Sequence, residues 1–153
     1  MPVAEGTVYE SPTPYEHARI HAAAIYCSDG RVGEQIDEFL HHGLGLPRYD
    51  RVAVPGGPAC LAGSLVTFQE ARGVEDALRF LIRVHDLEKV VLIAHEGCAY
   101  YRERLGVPDS SLLTEQRQDL EKAARTVRRF HDGLGVEAFL ARTSGARIRF
   151  EPL

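Results

Sequence analysis

Lys89-Val90-Val91-Leu92-Ile93-Ala94-His95 is the stretch on which the fold turns. Five successive apolar residues follow Lys89, and β-branched types dominate the first half. A short continuous run of this kind suits a parallel strand covered on both faces. It is too short for a core helix and does not alternate as a half-exposed strand would. The run stops at His95, so the histidine sits at the carboxyl end of a buried strand.

Working downstream, Ser110 or Ser111 is placed to cap a helix. That helix presents Leu113, Leu120, Ala123, Ala124, Val127 and Phe130 and ends at Gly133 and Gly135. Val136–Ala141 reads as another buried strand. Residues 146–151 alternate, with Ile148 and Phe150 on one face and Arg147 and Arg149 on the other, as an edge strand with one wet face does. Upstream, Val74, Ala77, Leu78, Leu81 and Ile82 form an amphipathic helical stripe. Tyr49–Val54 is a strand running into the loop Pro55-Gly56-Gly57-Pro58. Residues 33–42 suit a helix bearing Ile36, Phe39 and Leu40, stopped by Gly43, Gly45 and Pro47. Ile20–Tyr26 reads as a strand, although its three alanines favour helix. The turn residues Ser28, Asp29 and Gly30 support the strand end. Strands and helices thus alternate, which predicts an α/β fold with a mostly parallel central sheet of about five strands flanked by helices.

The chain has 153 residues, enough for one domain. Residues 1–16, rich in proline and polar types, read as an irregular arm, and 17–153 as a single domain. A net charge of −4 speaks against a nucleic-acid partner. No apolar run reaches the roughly 20 residues that span a bilayer, so no membrane partner is expected. Met1–Glu10 lacks the basic start and apolar stretch of a signal peptide. Three cysteines, an odd number, fit reduced thiols and a cytoplasmic location better than a disulfide framework.

The positions of those cysteines carry the chemistry. His95-Glu96-Gly97-Cys98 sets a nitrogen and a sulfur donor three residues apart, and Gly97 lets the turn bend. Cys27 closes a different strand that can lie beside 89–94. Two thiolates and an imidazole are donors zinc prefers, and they leave a fourth tetrahedral position open. The plain alternative is two buried free cysteines and a strand-end histidine. Cys60 reads as a buried small residue instead of a ligand. In Cys27-Ser28-Asp29-Gly30-Arg31, the odd positions can project to one side, so that Arg31 keeps Asp29 ionised and oriented. Asp29 would then either accept a hydrogen bond from water on the metal or itself fill the fourth position. An ordinary surface salt bridge is the bland reading of the same pair.

At these residues the chain resembles the β-class carbonic anhydrases. The likeness rests on Cys-x-Asp-x-Arg at Cys27, Asp29 and Arg31, on His-x-x-Cys at His95 and Cys98, and on the helix and strand that lead into the second motif. It covers roughly residues 20–105. The resemblance implies Zn²⁺ held by Cys27, His95 and Cys98, with Asp29 and Arg31 as the catalytic dyad. It also implies a homodimer or higher homo-oligomer whose site lies near the subunit interface. Three departures stand out. Ala99-Tyr100-Tyr101 follows Cys98 where the family usually has glycine. Val54-Pro55-Gly56-Gly57-Pro58 replaces its Arg-Asn-Ala-Gly type of stretch. Its substrate-side glutamine has no counterpart in Arg19–Tyr26.

The reaction expected first is reversible hydration of carbon dioxide to bicarbonate by water acidified on zinc. The altered loops keep two alternatives open: a zinc hydrolase of carbonyl sulfide or carbon disulfide, and a non-catalytic zinc-binding regulatory protein. No single histidine stands out as a proton carrier. Gly56 and Gly57 are placed either to bring backbone close to the metal or simply to turn the chain. Tyr100 and Tyr101 read equally as pocket or core aromatics. A phosphatase loop fits poorly because Arg31 follows Cys27 too closely, and a dinucleotide fold is weakly supported because no Gly-x-Gly-x-x-Gly follows the first strand.

Overall fold

In a computed structural model, which describes residues 4–153, the chain forms a five-stranded sheet. The first three residues of the expected arm lie outside that range. Residues 4–21 hold no helix or strand, and Val8, Tyr9 and Tyr15 in this stretch are exposed. The strands are β1 (Ala22–Cys27), β2 (Asp50–Val54), β3 (Lys89–His95), β4 (Gly135–Ser144) and β5 (Arg147–Pro152), in the order β2-β1-β3-β4-β5. The first three pairings along that order are parallel; β4 and β5 are antiparallel. The α-helices are α1 (Gly33–Glu38), α2 (Phe68–His85) and α3 (Asp109–Arg128). This is the mostly parallel α/β architecture that the alternation predicts.

Side-chain alternation along the strands divides the core in two. Ala23, Ile25, Val90 and Leu92 face α2 and α3, meeting Val74, Leu78, Ile82, Leu120 and Val127. Ala24, Tyr26, Val91 and Ile93 face the other way, toward Ile36 and Leu40. The alanines of β1 are 0–1% exposed, and this decides their conformation. Two-sided burial outweighs a helix preference of a few tenths of a kcal/mol per residue. On β5, Ile148 and Phe150 join the second cluster while Arg147 and Arg149 stay exposed, as the alternation requires.

Two local expectations fail. Neither Ser110 nor Ser111 caps α3. The helix begins at Asp109 with extended Pro108 in the capping position, and no side chain caps it. A proline just ahead of the first turn presets φ and lacks an N–H that would otherwise go unpaired. At its other end α3 stops at Arg128, before Gly133 and Gly135. The helix starting at Gly33 also does not remain regular to residue 42. It widens into a π-helical turn at Phe39–Gly43.

Candidate metal centre

The strand order places the site. From β1 the chain moves to one side to form β2, then crosses back to form β3 on the other. Such a reversal opens a crevice beyond the carboxyl ends of the two central strands. Cys27 ends β1 and His95 ends β3. The turn Glu96-Gly97, with Gly97 at φ 71°, folds Cys98 back over them. Cys27, His95 and Cys98 are all buried, and their donor atoms lie within 4.8 Å of one another.

The Sγ atoms of Cys27 and Cys98 are 3.9 Å apart. Tetrahedral zinc with Zn–S bonds of about 2.3 Å requires a sulfur–sulfur spacing of about 3.8 Å. His95 Nδ1 lies 3.2 Å from the carbonyl oxygen of Glu96, to which its N–H donates. That bond leaves a lone pair on Nε2, which is buried without a protein partner. Donor types, spacing and an orphaned ring nitrogen together fit a zinc ion.

The electrostatics agree. A hydrogen bond from Cys98 holds the Cys27 thiol well below its usual pKa. Burial opposes this, and His95 with the backbone N–H groups of Asp29 and Gly56 adds to it. Burial resists protonation of His95, but the adjacent Cys27 outweighs it and raises the basicity of the ring. Cys98 goes the other way: its hydrogen bond to Cys27, together with burial, keeps its proton on, so Cys27 is the thiol poised to ionise and Cys98 gives up its proton only to a cation.

The second sequence motif also assembles. Arg31 donates from its backbone N–H and from Nε to Asp29 Oδ1, each at 3.0 Å, and from Nη2 to Oδ2 at 2.7 Å. These hydrogen bonds hold the Asp29 carboxyl far below the usual carboxylate range. Both its oxygens are engaged, and the donor group does not extend to Asp29. Cys60 stands apart from it too. It is 2% exposed among Val52, Leu61 and Val74, and burial pushes its thiol up to about 11.

A cleft of ≈ 440 Å³ opens over Cys27, Asp29 and Arg31. Pro55, Gly56, Tyr100, Glu103 and Arg104 form its other walls. Gly57 lets this loop press on the end of β1, since a Cβ there would lie 2.7 Å from the Tyr26 carbonyl carbon. Gly56 lies equally tight under the Tyr100 ring. Tyr100 is thus a cleft wall, whereas Tyr101 is core, 2% exposed and donating to Asp119 Oδ2 at 3.0 Å. Among the described residues no histidine lines the cleft.

Glu103, Arg104 and Gln116 escape the sequence reading. Arg104 is fixed on Glu70 Oε1 at 3.0 Å and on the Val66 carbonyl at 2.6 Å. Gln116 donates to the His95 carbonyl at 2.6 Å. One signal for Gln116 is visible beforehand: it lies on the apolar stripe of its helix, four residues from both Leu112 and Leu120.

An α/β sheet with two cysteines and a histidine gathered at its switch point defines the class: a protein with a buried donor cluster that could hold a metal ion. Residues 17–146 match the family described as "Putative carbonic anhydrase", and the chain belongs to that family. Among solved structures it is similar to β-carbonic anhydrase isoform I of the protozoan Trichomonas vaginalis. The TM-score is 0.59 at 14% identity, over 92% of this chain and 87% of that one. A second is the β-carbonic anhydrase CafA of the fungal pathogen Aspergillus fumigatus, with a TM-score of 0.46 at 16% identity, over 87% of this chain and 76% of that one. No curated protein matches.

Proposed function

We propose that the protein is a zinc lyase that hydrates carbon dioxide reversibly to bicarbonate, with Cys27, His95 and Cys98 as its metal ligands. The observation that carries this reading is the buried Cys27–His95–Cys98 group beneath a cleft whose rim holds Asp29 locked on Arg31. Zinc bound there supplies a nucleophile at neutral pH by lowering the pKa of a coordinated water to about 7. Asp29 acts as an acceptor that stays ionised, orienting the water so that a lone pair faces the substrate. Arg31 keeps Asp29 out of the fourth metal position by occupying both its oxygens. Tyr100, Pro55 and Gly56 supply the apolar wall against which a neutral linear molecule rests. Membership of the carbonic anhydrase family supports the same assignment.

We also propose that the chain works as a homodimer or higher homo-oligomer in the cytoplasm. Leu65, Val66 and Phe68 support the assembly. They are 90%, 57% and 57% exposed, and Arg104 ties this segment to the cleft wall. Light scattering on the eluted protein checks the mass.

The deciding experiment is stopped-flow carbon dioxide hydration on protein whose zinc content has been measured. Catalysis well above the buffer rate, abolished by Cys98→Ser, is expected. Full zinc occupancy with no acceleration would refute the hydratase assignment. Sulfide release from carbonyl sulfide would then point to that electrophile, and silence with both to a zinc protein without catalysis.

A further inference from the structure

The buried stripe of α3 runs through Leu112, Gln116, Leu120, Ala123 and Val127. Gln116 is the polar member and is 0% exposed. Its Nε2 donates to the His95 carbonyl at 2.6 Å, and its Oε1 is buried with no partner. The orientation of the amide is dictated, because a carbonyl oxygen can only accept. An apolar residue of the same length would pack here without the orphaned side-chain oxygen, at the cost of leaving the His95 carbonyl without a donor, so packing alone does not account for a glutamine.

The geometry of β3 does. Glu96 N–H bonds to the Ala141 carbonyl at 2.8 Å, toward β4. Across a planar trans peptide the His95 carbonyl must then point the opposite way, toward β1. The pairing of β1 with β3 stops at Tyr26 and Ile93, so no strand continues there to donate to it. Gln116 supplies that donor. The peptide joining His95 to Glu96 is thereby held at both poles, by Gln116 on oxygen and by Ala141 on nitrogen. Glu96 is fixed further, its carboxylate accepting from Thr143 N at 3.0 Å and from Thr143 Oγ1 at 3.2 Å. The Glu96 carbonyl is in turn the acceptor for His95 Nδ1. The aim of the imidazole therefore depends on the His95–Glu96 peptide that Gln116 locks and on the next peptide, which that one carries and whose carbonyl accepts from the ring.

We propose that Gln116 is a positioning residue for the ligand His95, setting the ring and the turn to Cys98 before metal arrives. This rests on the zinc reading above. Partners that orient metal ligands typically account for about ten- to hundred-fold in metal affinity.

The test compares wild type, Gln116→Met, Gln116→Glu and Val127→Ala in the full chain. Val127 is equally buried on the same helix and serves as a packing control. Three readouts are taken: zinc affinity by chelator competition, the electronic spectrum of the Co²⁺-loaded protein, and denaturant stability of the metal-free form. For Gln116→Met, a loss of about ten- to hundred-fold in affinity and displaced Co²⁺ bands are expected, with a metal-free stability loss, from the unpaired His95 carbonyl, no larger than that of Val127→Ala. Gln116→Glu is expected to recover most of the affinity, since a buried carboxyl stays neutral and can donate. Val127→Ala is expected to lower stability and leave affinity and spectrum in place. Where Gln116→Met does not fold, Gln116→Leu carries the same comparison. Affinity within about two-fold of wild type with an unchanged spectrum overturns the proposal, as does an equal loss in Val127→Ala. A wild-type chain that takes up no zinc overturns the metal assignment itself, a separate failure visible before any variant is made.

Discussion

Gly56 lines the cleft and Gly57 beside it presses on β1, and substituting each by alanine should have different consequences. Gly57 has φ 54°, and a Cβ there would lie 2.7 Å from the Tyr26 carbonyl carbon and 2.8 Å from the Cys27 nitrogen. Both obstacles are backbone of a strand buried on each side, so neither can rotate away. Left-handed backbone costs an L-residue about 1–2 kcal/mol. Forcing an extra carbon into a packed site adds about 1–3 kcal/mol. Less entropy in the unfolded chain returns about 0.4–1 kcal/mol. Gly57→Ala should therefore destabilise by about 2–4 kcal/mol, which lowers a urea midpoint by about 1–2 M. Gly133 provides the reference, with φ 79° and no atom within 4 Å of its Cβ position; its alanine variant bears the conformational term alone, about 1 kcal/mol after the entropy gain. At Gly56 the obstacle is the Tyr100 ring, with Cγ 2.6 Å from the Cβ position. That obstacle is a side chain, so Tyr100→Ala should rescue Gly56→Ala and not Gly57→Ala in double-mutant cycles. Urea unfolding of the metal-free variants measures all of this. A Gly57→Ala loss equal to that of Gly133→Ala would refute the close approach of the loop to β1.

Asp29→Asn should lower the carbon dioxide hydration rate by about a hundred-fold or more at unchanged zinc content, read by stopped flow, because the amide presents a donor where an acceptor is needed. The Tyr100 hydroxyl is buried without a partner, so Tyr100→Phe should leave stability unchanged or raise it by about 1 kcal/mol, read by urea titration. Burial raises the Asp119 pKa despite its bond from Tyr101, so its folded value lies above its unfolded one. The stability it allows at low pH is then lost as pH rises through that folded value. Asp119→Asn should accordingly raise the melting temperature of metal-free protein at pH 7 and leave it unmoved well below the ordinary carboxylate pKa.

How far the sequence speaks depends on whether local pattern and burial agree. Val90–Ala94 is readable because a continuous apolar run has one good use in an alternating fold, a strand with both faces covered. Ala22–Ala24 is less readable, since propensity points to helix and only the neighbours on both sides make a strand. The start of α3 is misread because serine is a good cap in isolation, while the Pro108-Asp109 pair already supplies a preset φ and an acidic first turn. The clustering of Cys27, His95 and Cys98 is legible because motif spacing and strand ends coincide. The cleft walls are not, since Glu103 and Arg104 reach the site through a π-helical turn whose direction no spacing encodes. Gln116 occupies a middle ground: a polar residue on an apolar stripe marks a buried hydrogen bond, but not the carbonyl it serves.

The three cysteines show why position, more than residue type, makes the site. Cys27 is the last paired residue of β1 and Cys98 lies in the turn beyond β3, at the switch point where backbone N–H groups run out of strand partners. There the Asp29 and Gly56 amides can turn toward Cys27 sulfur and stabilise a thiolate. Cys60 lies only a few residues beyond Gly56, yet apolar side chains surround it and burial holds its proton in place. One chain thus keeps Cys60 inert by desolvation and readies Cys27 by ending two strands side by side, with Cys98 as the thiol that hydrogen-bonds to it. Every strand of an open parallel sheet ends somewhere, but two neighbouring ends part their connections in opposite directions only at the reversal. Donors from separate segments and backbone N–H groups free to turn toward sulfur meet there. The Gln116 contact belongs to the same geometry: where β1 stops short, the His95 carbonyl loses a strand partner, and a side chain from α3 takes its place.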